Sequence, residues 1–286
     1  MLNRFMVLLL VIVAALTFSS VTFAQSAPPQ KAGAVKDQKA VPLPAPPHDI
    51  AGTWDPAIPR SGVQAQGPMN MPNDGKPQHE LPYTPHGLEV YKSHKPLEGP
   101  IAVAPGLDND PRNLCEPLGF PRMNWYNVWT TQIVQTESKV LILYQYDQRW
   151  REIVMNQELP KDIVDAERQF YGYSVGKWLD DTTLVVQTVG MMPENRVWLD
   201  STGRPLSDQL HVEERFHRVN HDRLELTVTI DDPKMYTKPW VAMDKFVFKL
   251  LPSDTRVMEN VCSPVEQQIY NSQIGSQVNG TGEKTK

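Results

Sequence analysis

Gly172-Tyr173-Ser174-Val175-Gly176-Lys177-Trp178-Leu179-Asp180-Asp181-Thr182-Thr183-Leu184-Val185-Val186-Gln187-Thr188 begins as G-x-S-x-G, the pattern of a nucleophile elbow. Such an elbow activates its serine only where a strand runs in and a helix leaves, because the helix N-terminus and the strained turn expose the hydroxyl. Here the motif is followed by a turn at Asp180-Asp181 and then by Leu184-Val185-Val186, a β-rich run without helical period. The stretch reads as strand, turn, strand. Ser174 remains a candidate nucleophile, but one without the helix that the chemistry needs.

Working outward, Gln132 to Thr136 and Lys139 to Tyr146 are β-branched or aromatic runs joined at Glu137-Ser138, which predicts a hairpin. Further strands are expected at Arg151 to Met155, Tyr171 to Trp178, Thr182 to Val189, Val212 to Val219, Leu224 to Ile230, Lys245 to Leu250 and Thr255 to Glu259. Short strands in close succession point to a mainly β fold, an antiparallel barrel or sandwich of lipocalin-like shape. One register follows from side-chain period alone. With Asn220-His221-Asp222 as the loop, Val212 faces Ile230, Phe216 faces Leu226 and Arg218 faces Leu224, which gathers the apolar side chains on one face.

Nineteen of the 26 prolines fall between Pro28 and Pro121. Proline removes a backbone donor and pushes its predecessor out of the helical region, so this length is expected to run extended or as turns. The chain accordingly divides into a signal peptide over 1–24, a proline-rich linker over 25–49, an extended arm over 50–129 packed on the next unit, a β domain over 130–265 and a polar tail over 266–286. One short helix is expected near Pro85 to Lys92, since proline suits a first helical turn.

The signal-peptide reading rests on Arg4, the apolar run Phe5 to Phe18 and the small residue Ala24 before Gln25. It predicts a periplasmic or secreted protein with no stable membrane anchor after cleavage. A retained anchor over Phe5 to Ala24 is the competing reading. In an oxidising compartment the two cysteines, Cys115 and Cys262, are expected to pair, for about 5 kcal/mol on the chain-entropy model, although two separate buried thiols also fit the sequence.

A net charge of −5 without any Lys/Arg cluster argues against nucleic acid as a partner. No P-loop, no G-x-G-x-x-G and no H-E-x-x-H is present, so no cofactor and no metal is expected. Two groups of residues could carry chemistry. In the hairpin, period two places His211, Glu213, Arg215 and His217 on the face opposite the apolar one. His211 with Glu213 could serve an acid-base enzyme, and Arg215 could hold an anion, or the stripe is a solvated outer face. Trp125, Tyr126, Trp129, Tyr144, Tyr146, Trp150, Tyr171, Tyr173 and Trp178 crowd the first strands, as the wall of an apolar ligand cavity or as ordinary core.

Several motifs also go together: Gly52-Thr53-Trp54, Asn109-Asp110-Pro111, Cys115 to Arg122, Ser174-Val175-Gly176-Lys177-Trp178 and Thr229 to Pro233. With these the stretch from about Ile50 to Cys262 resembles an uncharacterised family of exported bacterial proteins. The resemblance implies a β-rich exported fold and transfers no activity. The chain departs from that family's pattern at Asn156-Gln157-Glu158-Leu159-Pro160, at Gln145 and at Gln187, where acids or a histidine are expected. Amides in place of carboxylates keep hydrogen-bonding shape and lose proton transfer, which suits a binding or inactive paralogue. The expected function is therefore an exported barrel that binds a small, partly apolar molecule through Arg122, Tyr144, Trp178 and Arg215. The alternative is a cofactor-independent hydrolase or an acid-base isomerase or cyclase that uses His211 and Glu213.

Overall fold

The computed structural model describes residues 42–57, 70–125, 130–164, 167–193 and 195–273. The chain divides into two compact units, Met1–Val41 and Pro42–Lys286, and all described residues belong to the second. The expected signal peptide, residues 25–41 of the linker, and Tyr126 and Trp129 lie outside the described residues.

Nine strands close into a barrel: β1 Gly52–Pro56, β2 Thr131–Gln135, β3 Lys139–Tyr144, β4 Trp150–Met155, β5 Tyr173–Trp178, β6 Thr183–Val189, β7 His211–Asn220, β8 Arg223–Asp231 and β9 Trp240–Leu250. Each pairs with the next and β9 returns to β1, so among the described residues no edge strand is left open. The opening stretch is strand, turn, strand: β5 and β6 are antiparallel neighbours, with Ser174 opposite Thr188 and Trp178 opposite Leu184. Asp180 closes the turn by accepting the Thr182 amide at 2.8 Å and the Thr182 hydroxyl at 3.1 Å. The β7–β8 register has the three pairs expected from period two, and a register shift at Arg218/Asn220 shortens its loop to His221-Asp222.

The architecture differs from expectation in four places. The barrel is mixed, because β4 and β5 run parallel, with Ile153 opposite Ser174. Parallel neighbours need a crossover, and residues 156–172 supply it. β1 lies within the length read as an arm and is nevertheless a stave, paired to both β2 and β9. β9 starts at Trp240, five residues early; the left-handed backbone at Lys245 and the register shifts near Val228 mark a bulge that hides the alternation. Thr255 to Glu259 is not a strand. The Thr255 amide turns back to the Pro252 carbonyl, and Gln148 donates to the Met258 carbonyl instead of a ladder forming.

Inward positions carry Trp54, Ile133, Ile142, Ile153, Leu184, Val186, Val212, Phe216, Leu226 and Phe248, all buried. One end of the barrel is stoppered by Arg218. Its guanidinium lies over Trp54 at 5.1 Å and donates to the carbonyls of Asp49 at 3.0 Å and His221 at 2.8 Å. Burial lowers its pKa, against the opposing pull of Asp49 and Asp222. The expected helix is α1, Pro85–Ser93, with Thr84 as N-cap and Pro85 in its first turn; a second, α2, spans Pro264–Gln273.

Candidate functional site

Near the other end of the barrel the interior turns polar. On β4 the alternation that sends Ile153 and Met155 inward also sends Arg151 inward, and on β7 it places Glu214 between Val212 and Phe216. The two side chains are 1% and 0% exposed and meet at 2.6 Å, Arg151 Nη2 donating to Glu214 Oε2. The other carboxylate oxygen, Oε1, accepts from Asn124 Nδ2 at 2.8 Å. Tyr144 of β3 donates its hydroxyl to Asn124 Oδ1 at 3.5 Å. The Arg151 guanidinium also lies 4.1 Å from the centre of the Phe120 ring. An isolated buried charge costs several kcal/mol, so each of these contacts is what permits ionised groups at this depth.

The electrostatics follow from that packing. Burial works against the charged guanidinium of Arg151, and the adjacent Glu214 charge, with Tyr144 and the hydrogen bond to Glu214, more than offsets it, so its pKa is raised. Burial pushes the Tyr144 phenol up to about 12, with Arg151 pulling down and Glu214 pushing up. Burial also raises the phenol of Tyr171, whose ring stacks on that of Tyr144 with centroids 6.4 Å apart. Both phenols are therefore hydrogen-bond donors at neutral pH and not bases.

Among the described residues, three buried donors of this cluster have no hydrogen-bond partner: Arg151 Nε, Arg151 Nη1 and the Tyr171 hydroxyl. Trp150, Glu152, Val154, Tyr173 and Val175, the outward positions of β4 and β5, line with Tyr171 a groove of about 910 Å³ over the parallel β4–β5 seam, walled by the crossover that this seam requires. Phe170 adds apolar wall, and Gln157, Glu158 and Pro160 come from the crossover. Within the barrel itself, Trp54, Tyr144, Phe216 and Phe248 enclose about 40 Å³, room for water and not for an organic ligand. Those aromatics are core, and the groove is the largest of the ligand-sized spaces found among the described residues.

The residues singled out from sequence are dispersed. Ser174 is buried in mid-strand with its hydroxyl 2.9 Å from that of Thr188. His211, Glu213 and Arg215 are on the outer face, where Glu213 accepts from Arg215 Nε at 2.8 Å and from Gln187 Nε2 at 2.7 Å, so both its oxygens are engaged. Arg122 is buried and bidentate to Asp110, at 2.9 and 2.5 Å. Trp178 lies at the far end of β5, its ring 5.1 Å from that of His48, while Tyr144 belongs to the polar cluster. The four expected ligand contacts are therefore not brought together. Cys115 and Cys262 form a disulfide.

Sequence reasoning missed Arg151, Glu214, Asn124 and Tyr171 as a group. One signal was present: the hairpin register puts Glu214 on the apolar face, and a carboxylate there demands a buried partner. Among the described residues no group of three or more His, Cys, Asp or Glu is placed to hold a metal ion. Comparison with known proteins finds no matching family model, no matching curated protein and no matching solved structure.

Proposed function

We propose that this protein is an exported β-barrel that binds a small, partly apolar molecule in the groove beside Arg151 and Tyr171. The observation that carries the reading is the groove's make-up. It has about 910 Å³ of space, Trp150, Phe170, Tyr171 and Tyr173 as aromatic wall, and Gln157, Gln169 and Glu152 among its polar lining. That is the size and chemistry of small-molecule sites, apolar walls with a few placed polar groups. The polar cluster behind the groove favours binding over catalysis, because Glu214 has both oxygens committed there and its phenols hold their protons. Periplasmic or extracellular residence is supported by the Cys115–Cys262 disulfide. Among the described residues no helix is long and apolar enough to cross a membrane.

Native mass spectrometry of the protein purified from an oxidising compartment tests this. An added mass that mild activation removes, and that is lost when Tyr171 and Trp150 are both changed to alanine, is the expected result. A bare chain mass that stays unchanged after exposure to an extract of the producing cells overturns it.

A further inference from the structure

Resting on the groove as the binding site, we infer that its ligand is a short oligosaccharide that lays a pyranose face on the Trp150 ring. β4 sends Trp150 outward into the groove, where it is 60% exposed, the only Phe, Tyr or Trp among the described side chains left mostly in water. Tyr173 on β5 donates its hydroxyl to the Glu167 carbonyl at 2.6 Å, so it offers the groove a ring and not a polar tip. An aromatic face is partly negative and attracts the slightly positive C–H groups that cover one side of a pyranose.

The polar lining mixes donors with acceptors. Gln157 and Gln169 are exposed, and their amides, each a donor and an acceptor, have no side-chain partner among the described residues. Glu152 accepts Lys139 Nζ at 3.0 Å on both oxygens and keeps a lone pair on each, while Arg149 spends Nε on Asp147 and keeps the rest of its fork. A hydroxyl donates and accepts at once, so a row of sugar hydroxyls matches such a wall. The groove also continues past its own rim. It shares Arg168 and Met192 with a hollow of about 410 Å³, and Gln157, Glu158 and Val175 with another of about 330 Å³. Because the shared residues differ, the three run in series, which suits a chain of repeated units over one compact molecule. A peptide also carries donors and acceptors, but a peptide strand binds by completing an open sheet edge, and among the described residues the barrel leaves none. A proline-rich peptide suits aromatic grooves yet brings carbonyls and few N–H groups, so Glu152 and Glu158 would lose water without gaining donors.

Isothermal titration calorimetry of the full chain tests this with cellotetraose, maltotetraose, mannotetraose, chitotetraose and tetragalacturonate, and with 2-ethylnaphthalene and decaproline as probes of the rival classes. At least one tetrasaccharide is expected to bind with a Kd below about 1 mM, about tenfold or more tighter than its monosaccharide. Trp150→Ala should weaken it about tenfold or more and Trp150→Phe by less, and Gln157→Ala/Gln169→Ala should weaken it about fivefold. All three positions are exposed, so these variants are expected to keep the wild-type Tm. If no tetrasaccharide binds up to about 10 mM, the inference is overturned. Binding of 2-ethylnaphthalene or decaproline that Trp150→Ala abolishes then leaves the groove reading standing. A tetrasaccharide whose affinity survives both Trp150→Ala and the double glutamine change also overturns the inference, since it binds elsewhere. Silence from every probe, with a bare chain mass after exposure to cell extract, ends the groove reading and the inference together.

Discussion

Arg151 of β4 and Glu214 of β7 join two staves that are not neighbours, since β5 and β6 lie between them in the barrel wall. Removing one partner of such a pair strands a buried charge. Arg151→Met or Glu214→Met alone is therefore expected to destabilise the fold by about 3–5 kcal/mol, and the double change by less than either single one. Urea unfolding of the three variants checks this. Additive losses would mean that the two groups do not depend on each other.

Much of the barrel is legible in the sequence because period two is local. Phe216 opposite Leu226 and Val212 opposite Ile230 need only one hairpin's worth of alternation, and so does the turn that Asp180 closes. The elements that escape are those decided at long range. β1 is five residues, Gly52–Pro56, among prolines, and it becomes a strand because β2 and β9 each offer it an edge. The parallel β4–β5 pair has no local signature either. The site shares this limitation: Glu214 is visibly out of place on an apolar face, but Arg151 is 63 residues away and Asn124 is 90. Period two also puts His211, Glu213 and Arg215 on one face, but it does not say which way that face points, and the Arg215–Glu213 ion pair is that of a strand face turned away from the core.

The disulfide fastens the segment after β9 to the turn that precedes the cluster. Beside it, the Cys262 amide donates to Asp147 Oδ1 at 3.1 Å, and the Asp147 amide donates to Asn260 Oδ1 at 3.5 Å. Those two bonds hold the same segment without the bridge, so Cys115→Ser/Cys262→Ser should still fold. It is expected to lose about 2–5 kcal/mol, a fall of roughly 10 °C in Tm. Calorimetry with and without reductant reads this directly: wild type should drop to the variant's Tm when reduced, and a reductant-insensitive Tm would contradict it.

Asp108 gives a pH-dependent signature. Burial, with the nearby charge of Asp110, pushes its carboxyl up to about 6, against the Asp110 amide hydrogen bond and the charges of Arg122 and Arg112. The folded protein thus holds this proton more tightly than the unfolded chain, whose aspartates titrate near ~3.9. Its contribution is fully present below about pH 4 and is lost as pH rises through about 6. Asp108→Asn keeps an acceptor for the Asp110 amide, which bonds Oδ1 at 2.9 Å, and removes the titration. The variant should gain on wild type between pH 4 and 6 and hold the gain above. Because the carboxyl is partly exposed, the gain is at most about 1 kcal/mol. Urea midpoints that run parallel across this range would rule the assignment out.

Gly87 sits in α1 where the helix meets the turn after β8. The Thr84 amide donates to the Met235 carbonyl at 2.9 Å just ahead of it, and Tyr83 bridges to Tyr236. A Cβ at position 87 would fall 2.1 Å from the Met235 carbonyl oxygen and 2.9 Å from its carbonyl carbon. Helix propensity and packing then oppose each other. Alanine in a helix gains about 1 kcal/mol over glycine, but the obstacle is backbone, and relieving it means lifting α1 off the turn and parting Tyr83 from Tyr236. Packing should win: Gly87→Ala is expected to lose about 1–3 kcal/mol net, against the gain that propensity alone forecasts. Gly75, whose added Cβ would come no closer than 3.8 Å to Pro100, has the space that Gly87 lacks but a φ of +75°. Its alanine variant should fail through backbone strain, costing about 1 kcal/mol while leaving the Tyr83–Tyr236 contact intact. Comparing the two by urea unfolding and by the ring resonances of Tyr83 and Tyr236 separates a steric cause from a conformational one. A stabilised Gly87→Ala would show that α1 is free to move away from the barrel.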